Sequence, residues 1–138
     1  MESPKISLKI VTPEKIYGIF DVDSILIQTD QGQVNILPYF ANYIANVEIS
    51  EMVLYIDGKK TCYAVGGGAL SVINHKAKLM VNTIEGIDEI DASRIIEAKK
   101  IAEQRVKDAQ SSDELKRAEL KLKRALNREA LIKKYYRN

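Results

Sequence analysis

Apolar and polar residues alternate with a period of two through the first part of the chain and recur at three to four through the rest; the change falls at 85–94, E-G-I-D-E-I-D-A-S-R. Ile6, Leu8 and Ile10 alternate with Ser7, Lys9 and Val11, which predicts a strand with one apolar row. Thr12-Pro13-Glu14 turns the chain, a second extended segment covers 16–22 with Gly18 as a bulge, and Ile25-Leu26-Ile27 reads as a more fully buried strand. Asp30-Gln31-Gly32 is a turn, after which Val34, Ile36 and Leu37 run into Pro38. Proline has no amide to donate, so Leu37-Pro38 belongs at a strand end. The runs 52–56 and 61–65 flank Asp57-Gly58, a hairpin signal because a primed turn needs positive φ. Runs 69–73 and 78–83 repeat the theme across Asn74-His75. Many short strands with regularly spaced turns predict a β-sandwich or barrel.

Beyond Gly86 there is no glycine, and no proline follows Pro38, so nothing from 87 to 138 breaks a helix by itself. Ile95, Ala98, Ala102, Val106 and Ala109 share one helical face. Gln110-Ser111-Ser112-Asp113 interrupts the pattern, and Ser111 with Glu114 fits a capping box opening a second helix lined by Leu115, Ala118, Leu122, Ala125 and Leu126. A short connection makes the pair antiparallel. The seam is rich in alanine, which buries far less apolar area than leucine, so the pair is marginal alone. Exposed pairs Glu103/Lys107, Glu119/Lys123 and Glu129/Lys133 add about 0.2–0.5 kcal/mol each.

Charge sharpens this division. The net charge is +2, but residues 1–87 carry seven Lys/Arg against nine Asp/Glu, and 88–138 fourteen against ten, giving −2 and +4. From Lys116 onward nine basic residues face two acids, Glu119 and Glu129, which suits an anionic partner unless the face is simply solvated. Cys62 is alone, excludes an intrachain disulfide, suggests a reducing compartment and reads as a buried strand position. No apolar run reaches the ~20 residues needed to span a bilayer, and the start has no signal-peptide pattern, so membrane association is expected only through partners.

Candidate chemistry is sparse. Gly66-Gly67-Gly68 is followed by no Lys-Ser/Thr and leads into a strand, so it reads as a strand-end bulge or tight turn rather than a phosphate loop. His75, the only histidine, has no second ligand type nearby, and Asp21 and Asp23 read as the wet face of a strand. No catalytic or metal site can be assembled. Arg117, Lys121, Arg124 and Arg128 fall in a narrow sector beside the seam of the second helix. Asp91 and Arg94 open the first helix, level with the far end of the second, where Arg124 and Arg128 sit. A helix start with convergent arginines suits phosphate or carboxylate; Asp91 as a plain helix cap explains the acid without a ligand.

The chain resembles the epsilon subunits of bacterial F-type ATP synthases. The resemblance rests on L-K-I-V-T-P-E at 8–14, G-Q-V-N-I-L-P at 32–38, Y-A-V-G-G-G-A-L-S-V at 63–72, and N-T-I-E with E-I-D-A-S-R between 82 and 94. It implies an α+β protein: an amino-terminal antiparallel β-sandwich, 1–86, gripping the gamma subunit and touching the c-ring, then a carboxy-terminal antiparallel two-helix hairpin, 87–138. The resemblance also implies a non-catalytic rotor subunit whose hairpin extends into the alpha/beta catalytic head and hinders ATP hydrolysis. It places the protein peripherally on the cytoplasmic side of the bacterial plasma membrane. Gln33 stands where the family often has an acid in the ring-facing turn, and Tyr39-Phe40-Ala41-Asn42 replaces Gly-His-Ala-Pro. Ile90-Asp91-Ala92-Ser93-Arg94-Ile95 matches a family ATP-binding motif except that Ile95 replaces alanine, which implies a regulatory ATP site of Glu85, Asp91, Arg94, Arg124 and Arg128 and no required cofactor. The rival reading is a free-standing β-sandwich adaptor whose basic helical tail binds nucleic acid or an acidic protein. For single strands it lacks interleaved aromatics apart from Tyr135-Tyr136, and no nucleic-acid partner is expected.

Overall fold

Alternation in the first apolar run becomes burial: Ile6, Leu8 and Ile10 are buried while Ser7, Lys9 and Val11 are not. The computed structural model describes residues 4–136. The strands among them are β1 (Ile6–Val11), β2 (Ile16–Val22), β3 (Ser24–Thr29), β4 (Gly32–Ile36), β5 (Tyr43–Ile56), β6 (Lys59–Ile73), β7 (Lys76–Val81) and β8 (Ile84–Gly86). A 3₁₀ turn (Ile87–Glu89) precedes α1 (Ala92–Asp108) and α2 (Ser112–Tyr135). The strands join in the order β2-β1-β7-β6-β5-β3-β4, with β8 also on β6. Every ladder is antiparallel, as expected, except β1–β7, which is parallel. A parallel pair needs a long crossover, and here β2 to β6 supply it. The bulge expected at Gly18 is present: the β1–β2 register shifts between Ile10, opposite Gly18, and Val11, opposite Ile16.

The larger corrections concern β5 and β6. The strand expected from 52 begins at Tyr43, and the runs 61–65 and 69–73, read as two strands, form one. These two strands stay in one register from Tyr43↔Val72 to Ile56↔Lys59. Their buried rows nevertheless change phase midway: Ala45 and Val47 give way to Met52 and Leu54 on β5, and Val65 gives way to Leu70 and Val72 on β6, an odd step in each. A strand that passes from one layer to the other must turn its other face inward, which breaks period-two alternation in the sequence. β3 follows the same bend, pairing Leu26 with Val53 but Thr29 with Val47.

Gly66-Gly67-Gly68 therefore lies inside a strand, not at its end. Gly67 has φ +89, and a Cβ on Gly68 would lie 1.9 Å from the Met80 carbonyl oxygen. Beside it the expected strand 78–83 splits at Asn82-Thr83, which still bond β6 through Asn82 N–H to Gly67 O (3.0 Å) and Gly66 N–H to Thr83 O (2.8 Å). The inward rows meet in one core: Ile6, Leu8, Ile10, Leu70 and Leu79 from one side, and Ile25, Ile27, Ile36, Met52, Leu54 and Val65 from the other. Cys62, expected buried, is half-buried. At Asp57-Gly58 both residues have positive φ (51° and 78°), the primed turn expected.

Asp23 is not on the wet face of a strand. It lies between β2 and β3, its carboxylate ion-paired with Lys5 and accepting the Gly58 N–H at 3.1 Å, while Lys5 also donates to Asp57 at 2.8 Å. This clamp ties the entry to β1 to the β5–β6 turn. The chain divides after Gly86, with Ile87 onward forming a second unit.

Two outcomes are expected. Gly68→Ala should destabilise the protein by about 2–3 kcal/mol in urea unfolding, because the methyl meets strand backbone that cannot yield without parting β6 from β7. The clamp should give a pH signature. Lys5 holds the Asp23 carboxyl below its ordinary 3.8, helped by the Gly58 amide, and Asp23 and then Asp57 hold Lys5 above 10.5. Its contribution is therefore complete between those ordinary values, lost as pH falls through the lower folded value of Asp23, and lost as pH rises through the higher one of Lys5. Asp23→Asn should lower the urea midpoint at neutral pH and converge with the wild type in strong acid.

Candidate functional site

The helical unit is defined by its caps. Asp91 is the N-cap of α1, its Oδ1 accepting from Ser93 N–H (2.9 Å) and Ser93 Oγ–H (2.7 Å); the Ser93 hydroxyl first, then its amide, holds this carboxyl below the usual range. Asp91 therefore acts as the cap of α1. Ser111 caps α2 by accepting Glu114 N–H at 3.1 Å. The return bond of the expected capping box lands one residue earlier, with Glu114 Oε2 accepting Gln110 N–H at 3.1 Å. Asp113 and Glu114 in its first turn and Lys133 and Lys134 in its last oppose the helix dipole.

Ile95, Ala102, Ala118 and Ala125 are buried and Val106, Ala109 and Leu122 half-buried, but Ala98, Leu115 and Leu126, placed on the seam by periodicity, are exposed. A polar contact supplements the seam: Lys99 Nζ of α1 meets Glu129 of α2 at 3.3 Å, with Lys133 also on Glu129 at 3.6 Å. Lys99 first, then Lys133, keep the Glu129 carboxyl below its ordinary range. Glu129/Lys133 is thus formed as expected, but its main partner comes from the other helix.

The basic stripe divides along α2. Arg117 and Lys121 are exposed and line a cleft of about 260 Å³ with Arg105, Asp108, Glu114 and Ala118. The two acids there are engaged, Asp108 by Gln104 Nε2 at 3.1 Å and Glu114 by its cap, so the cleft presents cations. Arg105 leaves no trace in the spacing of the stripe because it is on α1; only the pairing of the helices puts it in the same cleft as Arg117. Arg124 and Arg128 are half-buried, and burial, then the charge of Arg128, lowers the pKa of the Arg124 guanidinium. Arg94 is exposed in the first turn of α1, close enough to contribute to the Asp91 shift. Glu85 belongs to the sheet unit, in β8 opposite Ala64.

Gln33 is exposed on β4, opposite Gln28 beside a turn held by Thr29 Oγ1–H to Gly32 O (2.8 Å) and Gln31 N–H to Thr29 Oγ1 (3.1 Å). The sheet unit also carries apolar residues on its outer face that were not singled out. Val11, Met80 and Ala69 are neighbours across β1, β7 and β6, with Met80 47% exposed, while Ile44 on β5 is 73% exposed and Ile73 50%. Each takes the outward phase of its strand, a signal present in the alternation. Beyond them, Tyr39 stands in the left-handed region (φ 68°) with its ring edge-on to His75 at 5.1 Å. Among the described residues no group of three or more His, Cys, Asp or Glu could hold a metal, and no helix is long and apolar enough to cross a membrane.

A family model described as the beta-sandwich domain of the ATP synthase delta/epsilon chain matches residues 5–87, and one described as its long alpha-helix domain matches 88–133. The chain belongs to this family. Similar relatives include an ATP synthase epsilon chain of Herpetosiphon aurantiacus, 34% identical over 87% of this chain and 88% of that one, and one of Bacillus cytotoxicus, 36% identical over 88% and 91%. In fold it is similar to a chain in the cryo-EM structure of the Euglena gracilis mitochondrial ATP synthase, OSCP/F1/c-ring, with TM-score 0.76 and 18% identity over 94% of this chain and 82% of that one. The family division at 87/88 lies one residue from the boundary between the two units.

Proposed function

We propose that the chain is a non-catalytic rotor subunit of an F-type ATP synthase, coupling rotation to synthesis and restraining ATP hydrolysis through its helical unit. The observation that carries this reading is the match of both units, in order and over nearly the whole chain, to the delta/epsilon family. The sheet unit holds the gamma subunit and meets the c-ring. An outer face bearing exposed Ile44, Ile73 and Met80 costs solvation unless a partner covers it, and Gln33 on its ordered turn faces the ring. The stripe of Arg117, Lys121, Arg124 and Arg128 meets acidic surface in the alpha/beta head. The protein sits peripherally on the cytoplasmic side of a bacterial plasma membrane, held there by the complex.

The stripe supplies the test. Replacing Arg117, Lys121, Arg124 and Arg128 together by Ala should raise ATP hydrolysis by the assembled enzyme severalfold at low salt, with the difference shrinking as salt screens the wild-type contact. Hydrolysis equal to wild type across salt would leave the stripe a solvated face.

A second reading makes ATP a regulatory ligand of the helical unit. Arg124 is half-buried beside a like charge, Arg128, and an anion between two guanidinium forks would relieve that repulsion. Binding only the folded pair would stabilise it by RT ln(1 + [L]/Kd), so high ATP would keep the inhibitory arm down. Ile95 is buried where the family motif has alanine, so its larger side chain leaves less room at that position. Calorimetry should detect ATP binding to the wild type and tighter binding to Ile95→Ala; no heat from either at millimolar ATP would remove the site.

A further inference from the structure

The two helices are joined at one end by three residues of chain with caps on both sides, whereas their other end is open; buried alanines, Ala102, Ala118 and Ala125, mark the seam toward the connection, and Ile95 and Leu131 are buried toward the open end. At that open end the Tyr136 hydroxyl donates to Asp88 Oδ1 at 2.9 Å, across 48 positions. These residues bracket the described helical unit: Asp88 lies in the 3₁₀ turn before α1, and Tyr136 is the residue on which α2 ends. Both are held in place by backbone. Tyr136 N–H still bonds Ile132 O at 2.9 Å, so the last helical turn sets the direction of its ring, while Ile90 N–H to Ile87 O (3.3 Å) and the buried Ile87 fix the turn that carries Asp88. The carboxylate stands near the negative end of the α2 dipole, where it is unfavourable without a donor. Lys133 and Lys134 reduce that cost generally, and the phenol hydroxyl meets it directionally. The same bond is the first cause that holds the Tyr136 hydroxyl protonated above its ordinary range.

We propose that the Tyr136–Asp88 hydrogen bond is a latch that sets how often the two helices part at their open end. The latch itself stands on the geometry; its consequence for the enzyme rests on the inhibitory-arm reading above. Tyr136 carries both the side-chain bond and the last backbone bond of α2, so with the side-chain bond gone opening should begin there and spread toward the Lys99–Glu129 contact.

Hydrogen exchange on the full-length chain tests this directly. Tyr136→Phe keeps the ring and removes only the hydroxyl; it should speed exchange at amides 131–136 about three- to tenfold, with the sheet unit unchanged. Asp88→Ala should do the same, and the double variant should add nothing further, the signature of two groups in one bond. Wild-type exchange in Tyr136→Phe, or additive effects in the double variant, would overturn the latch. In the assembled enzyme Tyr136→Phe should lower ATP hydrolysis by releasing the arm. Faster exchange with unchanged hydrolysis would leave the latch standing and remove the inhibitory-arm reading instead.

Discussion

Everything in the sheet unit depends on β5 and β6 remaining paired in one register while both reverse the face they turn inward. A long ladder that serves two layers has to bend, and the bend must occur where side chains do not obstruct the neighbouring strand. Glycines at 66–68 meet that need from the β6 side, with Gly67 taking positive φ and Gly68 admitting the Met80 carbonyl to a distance no Cβ would allow. On the β5 side the same bend breaks the pairing with β3 between Val47 and Val53. The core then forms from rows belonging to both layers, and the Lys5–Asp23–Asp57 clamp holds the β5–β6 turn to the start of the chain.

The helical unit is stabilised in a different way. It has few large buried side chains and depends instead on directional contacts at defined points: Asp91 and Ser111 at the helix starts, Lys99–Glu129 across the seam and Tyr136–Asp88 at the open end. Each is worth a modest amount near solvent, and together they specify which residues face each other. A unit held by such contacts can open locally without disturbing a large core.

Much of the candidate site was legible because capping and helical spacing are local. Asp91, Ser111 and the sector shared by Arg117, Lys121, Arg124 and Arg128 follow from residue type and 100° steps. The burial of Arg124 and Arg128 against the exposure of Arg117 and Lys121 was not legible, nor was the entry of Arg105 into the cleft. Those depend on which helices lie side by side. Ala98, Leu115 and Leu126 were placed on the seam for the same reason: periodicity names a face but does not measure its width.

By itself, the sequence determined where strands give way to helices, the turns at Asp57-Gly58 and Asn74-His75, both helix caps, and, through four short blocks, the family. These are matters of a few neighbouring residues, in which φ preference, a missing amide or a capping oxygen decides. The tertiary structure alone decided the parallel β1–β7 pair, the continuity of β5 and β6 through the glycines, the role of Asp23 as a clamp, and the Lys99–Glu129 and Tyr136–Asp88 bonds. Alternation shows that a residue faces inward, but not that the inward side changes partway along a strand, and a contact between residues 18, 30 or 48 positions apart leaves no periodic trace. It exists only once the backbone has brought the two side chains within reach of each other.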